Sequence, residues 1–166
     1  MAEEPEDTLT QRIGVLARRE TEARILTPMI RALCEKFDEA EVLAIVRDTV
    51  IDLAQKQGRD LAEVYGDDIE AFLETLEFWQ QDGALEIEIL DQSDTVLNFD
   101  VKRCRYAEMY KALGIEDLGA VFSCNRDYAM VEGFNAEAKL ERKHTIMEGN
   151  HCCTFRYTFP KRDEQG

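Results

Sequence analysis

Near the end of the chain an arginine, an imidazole and a thiol fall on one side of what reads as a β-hairpin. In its second strand, from about Cys152 to Phe159, Cys153, Phe155, Tyr157 and Phe159 share one face. That face is the apolar one, so it is expected to turn toward the core. In the first strand, from about Lys139 to Met147, the even positions are Leu140, Arg142, His144 and Ile146. A two-residue Gly149-Asn150 turn would pair Ile146 with Cys153 and His144 with Phe155, which lays the two apolar faces on the same side. Arg142 and His144 then point inward, with Cys153 diagonal to His144 and within its reach. A buried arginine is costly unless it is paired. Two readings follow: a structural ion pair beside a satisfied core histidine, or a pocket lined by a thiol, an imidazole and a cation.

Further thiols lie upstream. Cys104 stands where a strand meets a helix, and the positive end of the helix dipole lowers a thiol pKa at such a position. The commoner role of a free cysteine is a small buried hydrophobe, and Cys34, on the apolar side of the first helical region, fits that role. Cys124 and Asp127 are three residues apart and share a face if the helix continues. A carboxylate raises the pKa of a neighbouring thiol, so Asp127 is better suited to orient His144 or to hold a substrate amine than to activate Cys124. A solvated Asp127 at a helix end is the plainer alternative. Cys124, Asp127, His144, His151 and Cys153 are metal-ligand types, yet no Cys-x-x-Cys or His-x-x-x-His spacing accompanies them, so no metal is expected. Neither a phosphate-binding glycine loop, nor Gly-x-Ser-x-Gly, nor a dinucleotide fingerprint is present, and no cofactor is implied.

The elements that must position these groups follow from periodicity. Leu9, Ile13, Leu16, Ile25, Met29, Leu33 and Phe37 keep helical spacing, with Pro28 expected to kink or divide the stretch. Asp38 and Glu41 resemble a capping box. The helix after them carries Val42, Ile45, Val46 and Leu53 toward Gly58, and a short turn through Leu61 and Val64 leads to Gly66. The next helix carries Ile69, Phe72, Leu73, Leu76 and Trp79, ending near Gly83. The period then changes to two. Leu85, Ile87 and Ile89, then Leu97, Phe99 and Val101, alternate with polar residues and read as an antiparallel hairpin. A helix from about Arg105 to Leu113, another from near Ile115 toward Cys124, a break at Gly133-Phe134-Asn135 and the terminal hairpin complete the chain. The expected fold is α+β: N-terminal helices followed by a β-β-α-α-β-β unit with an antiparallel sheet. It forms a single domain over residues 1–166, with a helical region over about 8–82, a mixed region over about 84–159 that carries the candidate site, and a tail over 161–166.

The 166 residues suffice to bury a core without disulfides. The 35 acidic against 20 basic side chains give a net charge of −15, which repels phosphate backbones and anionic lipid surfaces. Nucleic acid and membrane are therefore not expected partners. No apolar stretch approaches the ~20 residues of a membrane span, and the acidic start from Met1 to Asp7 is unlike a secretory signal. A cytoplasmic protein with reduced cysteines is expected. The apolar surface of the N-terminal helices exceeds what one small sheet can cover, which is compatible with a homodimer.

Several segments together resemble the L-2-amino-thiazoline-4-carboxylic acid hydrolase family. They are Arg103-Cys104-Arg105-Tyr106-Ala107-Glu108, Leu113-Gly114, Cys124-Asn125-Arg126-Asp127, Leu140-Glu141-Arg142-Lys143-His144-Thr145-Ile146, Gly149, and Cys152-Cys153-Thr154-Phe155-Arg156-Tyr157. Arg18-Arg19-Glu20-Thr21-Glu22-Ala23 and the stretch from Ala54 to Gly58 fit as well, so the resemblance runs from about Arg18 to Phe159. The family pattern has Cys-Asp-Phe-Arg where this chain has Cys153-Thr154-Phe155-Arg156, and it varies at the position of His144. The resemblance implies a small-molecule hydrolase that opens a cyclic amidine or isothiourea ring. Such chemistry needs a nucleophile on the amidine-like carbon, a proton for the departing heteroatom and a cation for the carboxylate. Cys153 is the first candidate nucleophile and Cys124 the second. His144 is the candidate base, and Asp127 its orienting group or a partner of the substrate amine. Arg142 is the candidate carboxylate grip, and Cys104 a further substrate contact. The alternative is a non-catalytic small-molecule binding or sensor domain using the same pocket.

Overall fold

The computed structural model describes residues 7–161. The acidic start before Asp7 and the tail beyond Lys161 lie outside the described residues. In chain order the elements are α1 (Leu9–Cys34), α2 (Glu39–Tyr65), α3 (Ile69–Gln80), β1 (Leu85–Gln92), β2 (Val96–Cys104), α4 (Arg105–Ala112), α5 (Glu116–Gly119), α6 (Arg126–Phe134), β3 (Lys139–Glu141) and β4 (Cys153–Thr158). The strands form an antiparallel sheet in the order β1-β2-β4-β3. The architecture is α+β, helices first.

The break in α1 falls at Gly14 rather than at Pro28. Gly14 has φ 74°, and no other residue of α1 leaves the helical region. A positive φ of this kind is comfortable only for glycine. Arg24 and Pro28 are both exposed, so water can serve the Arg24 carbonyl that Pro28 deprives of its N–H, and the helix passes through.

Likewise, α2 does not stop at Gly58. Asp38 caps its start by accepting the Glu41 N–H at 3.0 Å, and the helix runs unbroken to Tyr65. Gly58 is there for contact. A Cβ on it would lie 2.1 Å from the Met130 carbonyl oxygen, and one on Gly133 would lie 2.1 Å from the Gln55 carbonyl oxygen. The two glycines let α2 and α6 cross backbone to backbone. Gly133 lies in the last turn of α6, which ends at Phe134 with Asn135 extended, so the helical pattern does break over 133–135 as expected.

A further helix, α6, stands between the two expected central helices and the terminal strands. It continues from α5 through a π-turn over Ala120–Cys124, in which the Asn125 N–H reaches back to the Ala120 carbonyl at 2.9 Å. Such wide turns recur at functional sites.

Two packed clusters share the interior. One joins the sheet face (Leu97, Phe99, Val101, Tyr157) to Phe72 of α3 and to Val131 and Phe134 of α6. The other joins Val15, Ala23 and Ile30 of α1 to Tyr106, Tyr110, Leu118 and Phe122. Trp79, Leu85 and Cys104 touch both. No helix among the described residues is long and apolar enough to cross a membrane.

The terminal hairpin departs from expectation. Regular pairing ends at Glu141. Leu140 faces Tyr157 and Glu141 faces Arg156, whereas the expected register would set Leu140 against Phe159. In place of a two-residue turn, the chain curls through 142–145 into a short 3-10 turn, Ile146–Glu148, capped by Thr145. The cause is Thr154. Its hydroxyl oxygen accepts the N–H groups of both Lys143 and His144, at 3.1 and 3.2 Å. Successive N–H groups of a regular strand point to opposite sides, so one acceptor for both breaks the alternation. Arg142 stays turned inward, and His144 turns out to solvent. The expectation of an inward imidazole is therefore corrected.

Candidate functional site

A cavity of about 620 Å³ opens between the two clusters, within the size range of small-molecule sites. Cys104, Cys124, Asp127, Arg142 and Cys153 all border it. His144 does not. Five of the six residues singled out from sequence thus come together, and the imidazole is the one left outside.

Each of the five arrives on its own element. Cys153 opens β4 on the inner face, 7 % exposed, where its Sγ accepts the Ile146 N–H at 3.2 Å. Cys104 closes β2 and serves as the N-cap of α4. Cys124 ends the π-turn. Asp127 sits in the first turn of α6, and Arg142 on the curled segment after β3. Arg142 is bonded within the protein: it is ion-paired to Asp127 and donates to the Cys124 carbonyl at 3.0 Å. Its guanidinium also lies 5.1 Å from the Tyr128 ring centre and 5.4 Å from that of Phe155, both within cation–π range.

Burial dominates the electrostatics. It pushes the Cys153 thiol up to about 11, against the opposing pull of the Ile146 N–H. It raises Cys124 further, with the Asp127 charge adding to the shift. At Cys104 burial also wins, over the lowering pull of the Ala107 and Tyr106 N–H groups. The expected helix-dipole activation of that thiol does not materialise. The three thiols are accordingly neutral at ordinary pH. Asp127 is moved the other way from a usual paired carboxylate: burial pushes it up to about 6, outweighing the Arg142 charge beside it. A carboxyl group with a pKa near neutrality can both take and give a proton.

Sequence reasoning missed a cluster of cations. Arg18, Arg19 and Arg126 border the same cavity. Arg18 is paired with Asp7 and Glu22, at 2.6 and 3.0 Å, and Arg19 with Glu22 at 2.6 Å. Arg126 donates to the Gln57 amide oxygen at 2.7 Å and makes no ion pair among the described residues. Burial, then the Arg19 charge, pushes its pKa down, against the weaker opposing pull of Glu22. The signal available beforehand was its place inside Cys124-Asn125-Arg126-Asp127, flanked by two residues already of interest.

The would-be metal ligands are not assembled. His144 and His151 are exposed, and His151 borders a smaller cavity on the far side of Cys104. Among the described residues no group of three or more His, Cys, Asp or Glu could hold a metal ion. Thr154 lies on the strand face opposite Cys153, holding the curled backbone and not bordering the cavity.

No curated protein matches the chain. The family model described as L-2-amino-thiazoline-4-carboxylic acid hydrolase matches residues 18–157, a span that contains every residue placed around the cavity apart from its N-terminal rim. The chain belongs to that hydrolase family.

Proposed function

We propose that this protein hydrolyses a small cyclic amidine-like carboxylate of the aminothiazoline type, with Cys153 as nucleophile and Asp127 as proton carrier. The observation that carries the reading is that Cys153 and Asp127 border the same cavity, with two other neutral thiols and a structural arginine.

The chemistry runs without an imidazole. The Cys153 thiol is neutral in the free protein, but a protonated amidine beside it favours the thiolate. Asp127, ionised above about 6, takes the thiol proton. The sulfur attacks the ring carbon that lies between nitrogen and sulfur, and the displaced electron pair moves onto the amidine nitrogen. Collapse of this adduct breaks one ring bond, and Asp127 returns its proton to the departing heteroatom. Water then attacks the carbon still held by Cys153, and departure of the cysteine sulfur restores the thiol. One water is consumed. Cleavage of the ring carbon–sulfur bond yields a ureido group and a thiol, whereas cleavage of the carbon–nitrogen bond yields a thiocarbamate and an amine.

Acid quenching during turnover of 2-amino-thiazoline-4-carboxylate, followed by peptide mass mapping, tests this. The expected result is a substrate-derived mass on the peptide holding Cys153. Full turnover by Cys153→Ala, with no adduct on the wild type, overturns it.

A further inference from the structure

We propose that Arg126, steadied by Gln57, is the specificity-determining group that grips the substrate carboxylate. The proposal deepens the hydrolase reading above and rests on it for the identity of the ligand.

Of the four arginines that border the cavity, three are already engaged by acidic side chains. Arg142 already holds Asp127 and the Cys124 carbonyl. Arg18 holds Asp7, Thr10 and Glu22. Arg19 holds the second oxygen of Glu22. Glu22 is the acidic group whose charge Arg126 feels most, and both its oxygens are taken by Arg18 and Arg19. Arg126 is left with a neutral amide partner at 2.7 Å. A half-buried guanidinium stays protonated and is costly to desolvate without an anion. A carboxylate arriving in the cavity supplies that anion through two parallel hydrogen bonds.

Position supports the same assignment. Arg126 and Asp127 are consecutive at the start of α6, and both border the cavity. Their side chains leave the helix about 100° apart, so the carboxylate grip and the proton carrier flank a shared space. A ring that carries its carboxylate carbon three bonds from the reacting carbon can span both. Gln57 is brought to Arg126 by the glycine crossing of α2 and α6.

Calorimetric binding of 2-amino-thiazoline-4-carboxylate and of its decarboxylated parent, 2-amino-thiazoline, to wild type and Arg126→Gln tests the site. Wild type is expected to prefer the carboxylate by about 10- to 100-fold, and Arg126→Gln to bind both rings alike. Should Arg126→Gln fail to fold, Arg126→Lys keeps the charge and loses the planar fork, and its preference is expected to fall about fivefold or more. A wild type that binds neither ring, or both equally, overturns the proposal, as does an unchanged preference in the folded variant. Turnover is scored separately: the predicted binding pattern without ring opening sinks the hydrolase reading and leaves the carboxylate site standing.

Discussion

Arg142, on the curled segment after β3, is ion-paired with Asp127 in the first turn of α6, and the same guanidinium holds the Cys124 carbonyl at the end of the π-turn. One side chain therefore ties together three pieces of the cavity wall. The arginine side chain is 8 % exposed and that of Asp127 32 %, so the aspartate can recover some water if its partner is lost. Arg142→Ala is expected to cost about 2 kcal/mol, less than a fully buried pair would. A urea unfolding midpoint equal to that of wild type contradicts this role.

Asp127 sets the expected pH dependence. Its pKa is raised from 3.8 to about 6 by burial, and the proposed chemistry needs it ionised to receive the thiol proton. The value of kcat/KM should therefore rise with pH up to about 6 and flatten above. In Asp127→Asn that acidic limb should vanish, together with a loss of about 100-fold or more in rate. A limb near the ordinary carboxylate value, or one that persists in Asp127→Asn, assigns the titration to another group.

The crossing of α2 and α6 predicts intolerance at a residue far from any chemistry. A methyl group on Gly133 would meet the Gln55 carbonyl oxygen at 2.1 Å, and backbone cannot step aside as a flexible side chain does. Gly133→Ala is expected to destabilise by roughly 3 kcal/mol or more. It should also weaken substrate binding, because the same crossing brings Gln57 to Arg126. Thermal unfolding checks the first effect, and a stability within experimental error of wild type refutes the crossing.

Much of this was legible from periodicity. The alternation of Leu85 to Ile89 and of Leu97 to Val101 reads directly as the β1–β2 hairpin, and the pairing of Ile87 with Val101 and Ile89 with Phe99 follows it. The inward direction of Cys153 and Arg142 was legible for the same reason. What pattern cannot display is a side chain competing with the backbone ladder. The Thr154 hydroxyl captures two successive N–H groups, and nothing in the alternation of the neighbouring strand announces it. The unlike direction of Arg142 and His144 comes from that event. Gly58 misled differently: it resembles a helix end, and only the partner helix reveals that its missing Cβ is needed for contact. Arg126 escaped notice because a cation becomes conspicuous only when the pairings of its neighbours are known.

Thr154 makes its own prediction. Since its work is to accept two backbone N–H groups, Thr154→Asp, which keeps a short side-chain acceptor there, should preserve both folding and turnover. Thr154→Val should lose about 1–2 kcal/mol and loosen the segment that carries Arg142. Urea unfolding of the two variants in parallel decides the matter, and equal destabilisation by both counts against this role for the hydroxyl.

The most direct test is the steady-state turnover of 2-amino-thiazoline-4-carboxylate by wild type, Cys153→Ala and Cys124→Ala. Wild type is expected to open the ring, Cys153→Ala to lose activity by about 1,000-fold or more, and Cys124→Ala to keep most of it. Ring opening that continues at the wild-type rate without the Cys153 sulfur would contradict the account.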